Sequence, residues 1–240
     1  IVSGILLAFF TDYLLINTGE NNWRYMMLSM AIPAIGFFVL LFSVGRSPRW
    51  LVKEGKMEEA KTVLRSISPE ADADVLVNEI SKTLDEKSVK LSALFKKGHL
   101  KLVIIGIAVG MFNQFTGINI IMYYATDIFR SAGFSTGSAI LQTVIIGFVN
   151  LLFTLLVMRV IDKIGRKKLL LTGTLGMAFF LGLFAYAYLS GSFSSWLLLI
   201  SLIFFIALFA SSQGAVIWVL LSEIFPNSIR ARGASIGSFS

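Results

Sequence analysis

The chain has 240 residues, 56% of them apolar and 15% charged, with a formal net charge of +7 and a mean hydropathy of +0.80. Charged residues make up about a quarter of an ordinary soluble domain, so this composition excludes one and places the chain in a membrane. Cysteine is absent and His99 is the single histidine, which excludes disulfides, thiolate metal sites and a histidine-built zinc site, so no metal and no cofactor is implied.

A membrane-crossing helix needs about 20 apolar residues for roughly 30 Å of hydrocarbon. The first candidate runs from Ile1 past Asp12 to Ile16, and the second from Tyr25 to Val44. A long polar stretch follows. Within it Met57, Ala60, Val63, Leu64 and Ile67 recur at helical spacing among charged residues, which predicts a short amphipathic helix. Ser68-Pro69-Glu70 predicts a second helix reaching about Leu84, with Ser68 as its cap, Pro69 in its first position and Glu70, Asp72 and Asp74 near its positive end. Lys96, Lys97, His99 and Lys101 then read as solvated anchors at the lipid surface.

Apolar runs resume at Leu102 to Thr126 and at Ser131 to Met158. The stretch from Leu169 to Ser222 is 54 residues without a charge. As one helix it would be about 80 Å long, so it folds back, and the turn-rich segment 190–195 is the place to do so. Six spans result. The chain opens without Met and ends at Ser240 inside another apolar segment, as expected of a central piece of a longer protein.

The loops between spans hold every Lys and Arg, and their distribution alternates. Loops 45–101, 159–168 and 223–233 carry nineteen, whereas Arg24 and Arg130 stand alone in theirs and loop 190–195 has none. This is the positive-inside bias, which places the basic loops, 45–101 above all, in the cytoplasm. Topology accounts for the +7, and nucleic acid is not needed as a partner.

Polar groups within spans are costly unless they face a partner, water or substrate. The third span carries Asn113, Gln114, Thr116 and Asn119, then Tyr123 and Tyr124; the fourth carries Gln142 and Asn150; the sixth carries Ser211, Ser212, Gln213 and Trp218. All are neutral groups that donate or accept hydrogen bonds, a set suited to a polyhydroxylated neutral ligand rather than an ion. Gln114 and Asn119 lie about 140° apart around a regular helix, so they share a ligand only if the helix is distorted, and Gly117 between them permits that. The competing reading makes these amides glue between helices. It weighs as much as a ligand role for Asn150 and less for the cluster 113–119. Trp218 reads as core packing or as a stacking platform for an apolar sugar face, and Gly106-xxx-Gly110 as close helix packing. No acid lies deep in a span, and no catalytic triad, acid pair or phosphate loop is present, so an enzyme has no residues to stand on.

Four motifs together resemble the sugar porter branch of the major facilitator superfamily. They are Ser47-Pro48-Arg49-Trp50-Leu51, Asn113-Gln114-Phe115-Thr116-Gly117-Ile118-Asn119 with Tyr123-Tyr124, Asp162-Lys163-Ile164-Gly165-Arg166-Lys167-Lys168, and Trp218 through Pro226 to Arg230. The resemblance covers the whole chain. It implies an all-α membrane protein with six of twelve transmembrane helices and a cytoplasmic helical linker. Residues 1–44 would be the fifth and sixth helices, 45–100 the linker, and 101–240 the seventh to tenth helices with the start of the eleventh. The implied activity is transport of a neutral monosaccharide, hexose or pentose, by alternating access, as facilitator or proton symporter. The alternatives are a transporter-like sugar sensor and a transporter of another polyol such as inositol. The implied partners are the sugar, the lipid bilayer and, for a symporter, protons, and the implied setting is the plasma (inner) membrane.

Residue by residue, the resemblance places sugar contacts on Asn113, Gln114, Asn119, Asn150, Phe209, Gly214 and Trp218. It places an extracellular gate on Tyr123 and Tyr124, and a cytoplasmic salt-bridge network on Arg49, Asp162, Arg166, Glu223 and Arg230. Such a network would favour the outward-open state. The chain departs from the family pattern at Asn113, where the family has glutamine, at Gln213 and Ala215, where prolines often flank the glycine, and at Arg46, where the family usually has glutamate.

Overall fold

The computed structural model describes residues 1–70, 72–85, 97–190, 195–226 and 229–239. All regular structure among them is helical. The chain divides into two compact units, one formed by residues 1–27 and 91–240 and the other by 28–90.

In the smaller unit an apolar helix α3 (Ala31–Leu41) precedes three short helices, α4 (Pro48–Lys53), α5 (Met57–Ile67) and α6 (Ala73–Asp85). Helix α4 was not evident from apolar spacing. Pro48 occupies its first turn, where a missing N–H costs nothing, and Gly55 ends it at φ 76°. There Lys56 N donates to Leu51 O at 2.9 Å and Gly55 N to Val52 O at 3.0 Å, satisfying the last carbonyls. Leu51, Val52, Ala60 and Val77 form the core of the three helices, with Val63, Leu64 and Ile80 against it. The expected amphipathic stripe on α5 is present, but its ends, Met57 and Ile67, are exposed.

Helix α6 begins later than the sequence suggests. Ser68-Pro69-Glu70 stays outside it, and Asp72 does the capping, its Oδ1 accepting from Asp74 N at 2.9 Å. A carboxylate this close to the free N–H groups competes successfully with a hydroxyl four residues earlier. The α5–α6 contact also has a charged bridge, because Lys61 Nζ lies 2.7 Å from Asp74 and 2.8 Å from Glu58.

That bridge gives the linker a pH window. The Lys61 hydrogen bond holds the Asp74 carboxyl below its ordinary 3.8, and Asp74 first and Glu58 second raise the Lys61 ammonium above its ordinary 10.5. A lowered acid contributes stability above its unfolded pKa and loses it as pH falls through the folded value. A raised base contributes below its unfolded pKa and loses it as pH rises through the folded value. Amide exchange in α5 and the start of α6, corrected for intrinsic rates, is therefore expected to be slowest between these limits and to quicken several-fold below pH 3.8. Asp74→Asn should abolish the acid limb, and an unchanged limb would assign it to other groups.

The larger unit starts with α1 (Val2–Leu15), followed by α2 (Asn22–Ser29), whose last residues fall in the smaller unit. It continues with α7 (Lys97–Phe115), α8 (Ile118–Ser131), α9 (Thr136–Ile164), α10 (Arg166–Ser190), α11 (Ser195–Ser211), α12 (Gln213–Glu223) and α13 (Arg230–Phe239). Among the described residues, five helical stretches are long and apolar enough to cross a membrane: 22–41, 99–131, 136–164, 166–190 and 196–223. The shorter α1 is apolar too. The expected fold-back near residue 190 falls partly on residues 191–194, outside the described set. Helix α9 is central, packing on α1, α8 and α11, while α10 lies along α11 and α7 along α13. The core gathers Ile121, Phe129, Ile146, Met177, Phe205 and Ile206 from α8, α9, α10 and α11. Phe148, Leu155, Leu175 and Phe179 are exposed, apolar surface that lipid tails accommodate and water does not.

Glycines let the helices approach. A Cβ on Gly147 of α9 would lie 3.0 Å from the Phe9 ring of α1, and one on Gly106 of α7 would lie 3.0 Å from Phe225. Gly106 thus serves the packing role read from its motif. Gly173 of α10 abuts the Ser212 side chain, leaving no space there for even a methyl group.

Candidate functional site

Two of the crossing stretches, 99–131 and 196–223, contain a residue with non-helical backbone, and polar residues sit at both breaks. Between α7 and α8, Gly117 takes φ 79° and ψ 10°, a left-handed conformation that costs other residues about 1–2 kcal/mol. Thr116 Oγ1 donates to Asn113 O at 2.7 Å, satisfying a carbonyl at the interruption. The break brings the two amides together: Asn119 Nδ2 donates to Gln114 Oε1 at 3.1 Å. The distortion that a shared ligand requires is present, although on a regular helix these side chains would point apart.

Between α11 and α12, Ser212 departs from helical geometry at φ −128° and ψ −91°. Ser211 Oγ donates to Ala207 O at 2.7 Å, and Ser212 Oγ donates to Leu208 O. Hydroxyls returned to the preceding turn in this way bend helices, so this chain obtains a break without the flanking prolines. Gly214 then packs on Phe209, its Cβ position 3.1 Å from that ring. Gln213, the first residue of α12, reaches across to α10, and its Nε2 donates to Thr174 Oγ1 at 3.1 Å.

A cavity of about 160 Å³ opens between α7, α10 and α12, lined by Asn113, Thr174 and Gln213 together with apolar side chains such as Phe112 and Ile217. Asn113 and Gln213 stand out in the sequence but Thr174 does not, since its hydroxyl is one of two, with Thr172, in a mostly apolar run. Asn113 Oδ1 and Gln213 Oε1 are buried without a hydrogen-bond partner.

The remaining expected contacts divide by exposure. Asn150 and Phe209 are buried, whereas Gln114, Asn119, Tyr123, Tyr124 and Trp218 are exposed, Trp218 at 53%. Tyr123 also borders a second hollow with Asp12, Thr126 and Thr143, where the two threonine hydroxyls are 3.1 Å apart.

At the opposite end of these helices, three of the five expected network residues meet. Arg166 donates from Nε to Glu223 Oε2 at 3.0 Å and from Nη2 to Glu223 Oε1 at 2.7 Å, a two-pronged pair. Arg166 Nη2 is also 2.8 Å from Asp162 Oδ1. Arg49 belongs to the other unit and is exposed. The side chain of Arg230 lies outside the described residues, though its backbone begins α13.

Residues 1–240 match the family described as sugar (and other) transporter. The chain belongs to that family. It is 42% identical over 98% of its length to the D-xylose-proton symporter of Escherichia coli (strain K12), 38% over 91% to the arabinose-proton symporter of Bacillus subtilis (strain 168), and 36% over 98% to the glucose facilitated diffusion protein of Zymomonas mobilis. It spans about half the length of these relatives, 49%, 47% and 51% respectively. Among solved structures, it superposes on the partially occluded inward-open form of the E. coli xylose transporter XylE with a TM-score of 0.83 at 38% identity, covering 99% of this chain and 51% of the other. Against XylE bound to 6-bromo-6-deoxy-D-glucose the TM-score is 0.73 at 40% identity, with the same coverage. This family member therefore has the major facilitator superfamily fold and is a multi-pass membrane protein.

Proposed function

We propose that the full-length protein carries a neutral monosaccharide, a pentose or hexose, across the plasma membrane by alternating access. Residues 1–44 would act as the fifth and sixth helices, 45–100 as a cytoplasmic linker and 101–240 as the seventh helix onward. The observation that carries the reading is the Gln114–Asn119 amide pair across the break at Gly117. Because Gln114 Oε1 accepts from Asn119 Nδ2, Gln114 Nε2 is left to donate and Asn119 Oδ1 to accept. A sugar hydroxyl, which both donates and accepts, matches that pair, whereas an ion matches only half of it. Relatives named as xylose, arabinose and glucose transporters support the same substrate class. Glu223, Arg166 and Asp162 would form the cytoplasmic gate, with Arg49 and Arg230 joining it, and Tyr123 and Tyr124 the external one.

The test is uptake of labelled D-xylose, L-arabinose and D-glucose by the full-length protein in a transport-deficient host. Accumulation that collapses with the proton gradient would mark a symporter, and counterflow without accumulation a facilitator. Binding without either would replace this reading with that of a sugar sensor.

A further inference from the structure

The cavity between α7, α10 and α12 holds two buried amide oxygens, Asn113 Oδ1 and Gln213 Oε1, each without a partner. Gln213 is only 7% exposed. The other end of the same amide is tied to α10, where Nε2 donates to Thr174 Oγ1 at 3.1 Å. With the nitrogen held there, the oxygen is the free end of the group, and an unpaired buried acceptor is costly to keep. The cavity, at about 160 Å³, is far larger than the 10–15 Å³ or so that one water needs. Its lining has no charge to balance an ammonium group. Its three side-chain oxygens fall short of the six or more that calcium or magnesium takes. The lining suits water or a neutral ligand that brings hydrogen-bond donors.

Building on the sugar-transport reading, we propose that Gln213 is a specificity-determining contact that accepts a hydrogen bond from one substrate hydroxyl, with Thr174 as the positioning residue that turns its oxygen inward. Asn113, with its short side chain, leaves the room for this contact and offers a second acceptor beside it. The site therefore demands a hydroxyl that donates at one particular carbon. Sites with buried polar groups discriminate strongly against analogues that leave those groups unpaired.

The experiment is competition against a labelled sugar on the full-length transporter, using analogues of that sugar in which each hydroxyl in turn is replaced by hydrogen or by fluorine. Fluorine cannot donate. Wild type is expected to bind both analogues at one carbon at least ten-fold more weakly than the parent, and Gln213→Leu to bind parent and analogues within two-fold of one another at that carbon. Thr174→Val should likewise lose discrimination through KM with turnover retained, and Thr174→Ser should restore it. If Gln213→Leu does not reach the membrane, the Thr174 pair carries the test alone. Discrimination that is the same in wild type and variants at every carbon overturns the proposal and assigns the cavity to water. If no sugar competes in wild type, the transport reading itself fails, and the proposal fails with it.

Discussion

Gln114→Ala in the full-length protein is expected to lower sugar uptake, as kcat/KM, by about ten- to a hundred-fold, which is the range expected when a polar partner is removed from a built hydrogen-bonding site. The side chain does two things. It offers a donor to the substrate, and through its oxygen it fixes the Asn119 amide at 3.1 Å, so its loss frees both groups. Gln114→Glu separates the two roles: it keeps the acceptor for Asn119 and removes the donor, so it should retain the arrangement and still lose transport. Trp218, 53% exposed on α12, has the aromatic face available for the apolar side of a sugar ring. Trp218→Ala should cost at least ten-fold by the same measure, and Trp218→Phe less. Uptake unchanged by both alanine variants would remove the site assignment, whatever the protein carries.

How far the sequence anticipates this arrangement depends on the range of the interaction. Spans and linker follow from apolar runs and charge placement, because burial in lipid is a property of each segment. The break at Gly117 was also legible, since a glycine between amides that must converge names both the position and the need. The start of α6 was not: hydroxyl and carboxylate cap candidates lie a few residues apart, and only the three-dimensional exit of the chain decides that Asp72 prevails over Ser68. Helix α4 is too short for periodicity to reveal, and Pro48 was its only local sign. The Gln213–Thr174 pair joins residues 39 apart on different helices, and no local pattern encodes that. The break at Ser212 has a local cause, two serines returning to the previous turn, but serine mid-helix is so common that the cause is recognisable only once the geometry is known.

Arg166→Ala is expected to shift the full-length transporter several-fold towards inward-facing conformations, measured by distances between paired spin labels across the cytoplasmic side. The reason lies in where the three charges sit. Glu223 ends α12 and Asp162 lies in the last turn of α9, so both carboxylates stand at negative helix ends; Arg166 begins α10, at a positive one. Each charge is opposed by its own helix dipole, and the Arg166 guanidinium and the two carboxylates offset that cost through contacts of 2.7–3.0 Å. Removing the guanidinium leaves two like charges at neighbouring helix ends with nothing between them. Removing one carboxylate leaves an arginine that still has a partner. The expected order of effect is therefore Arg166→Ala first and Glu223→Gln second. Arg166→Lys should fall between wild type and alanine, because a single ammonium cannot engage both oxygens of Glu223 as the guanidinium does. Equal distance distributions in wild type and Arg166→Ala would confine the three residues to tying α9, α10 and α12 within one half, with no part in the choice between states.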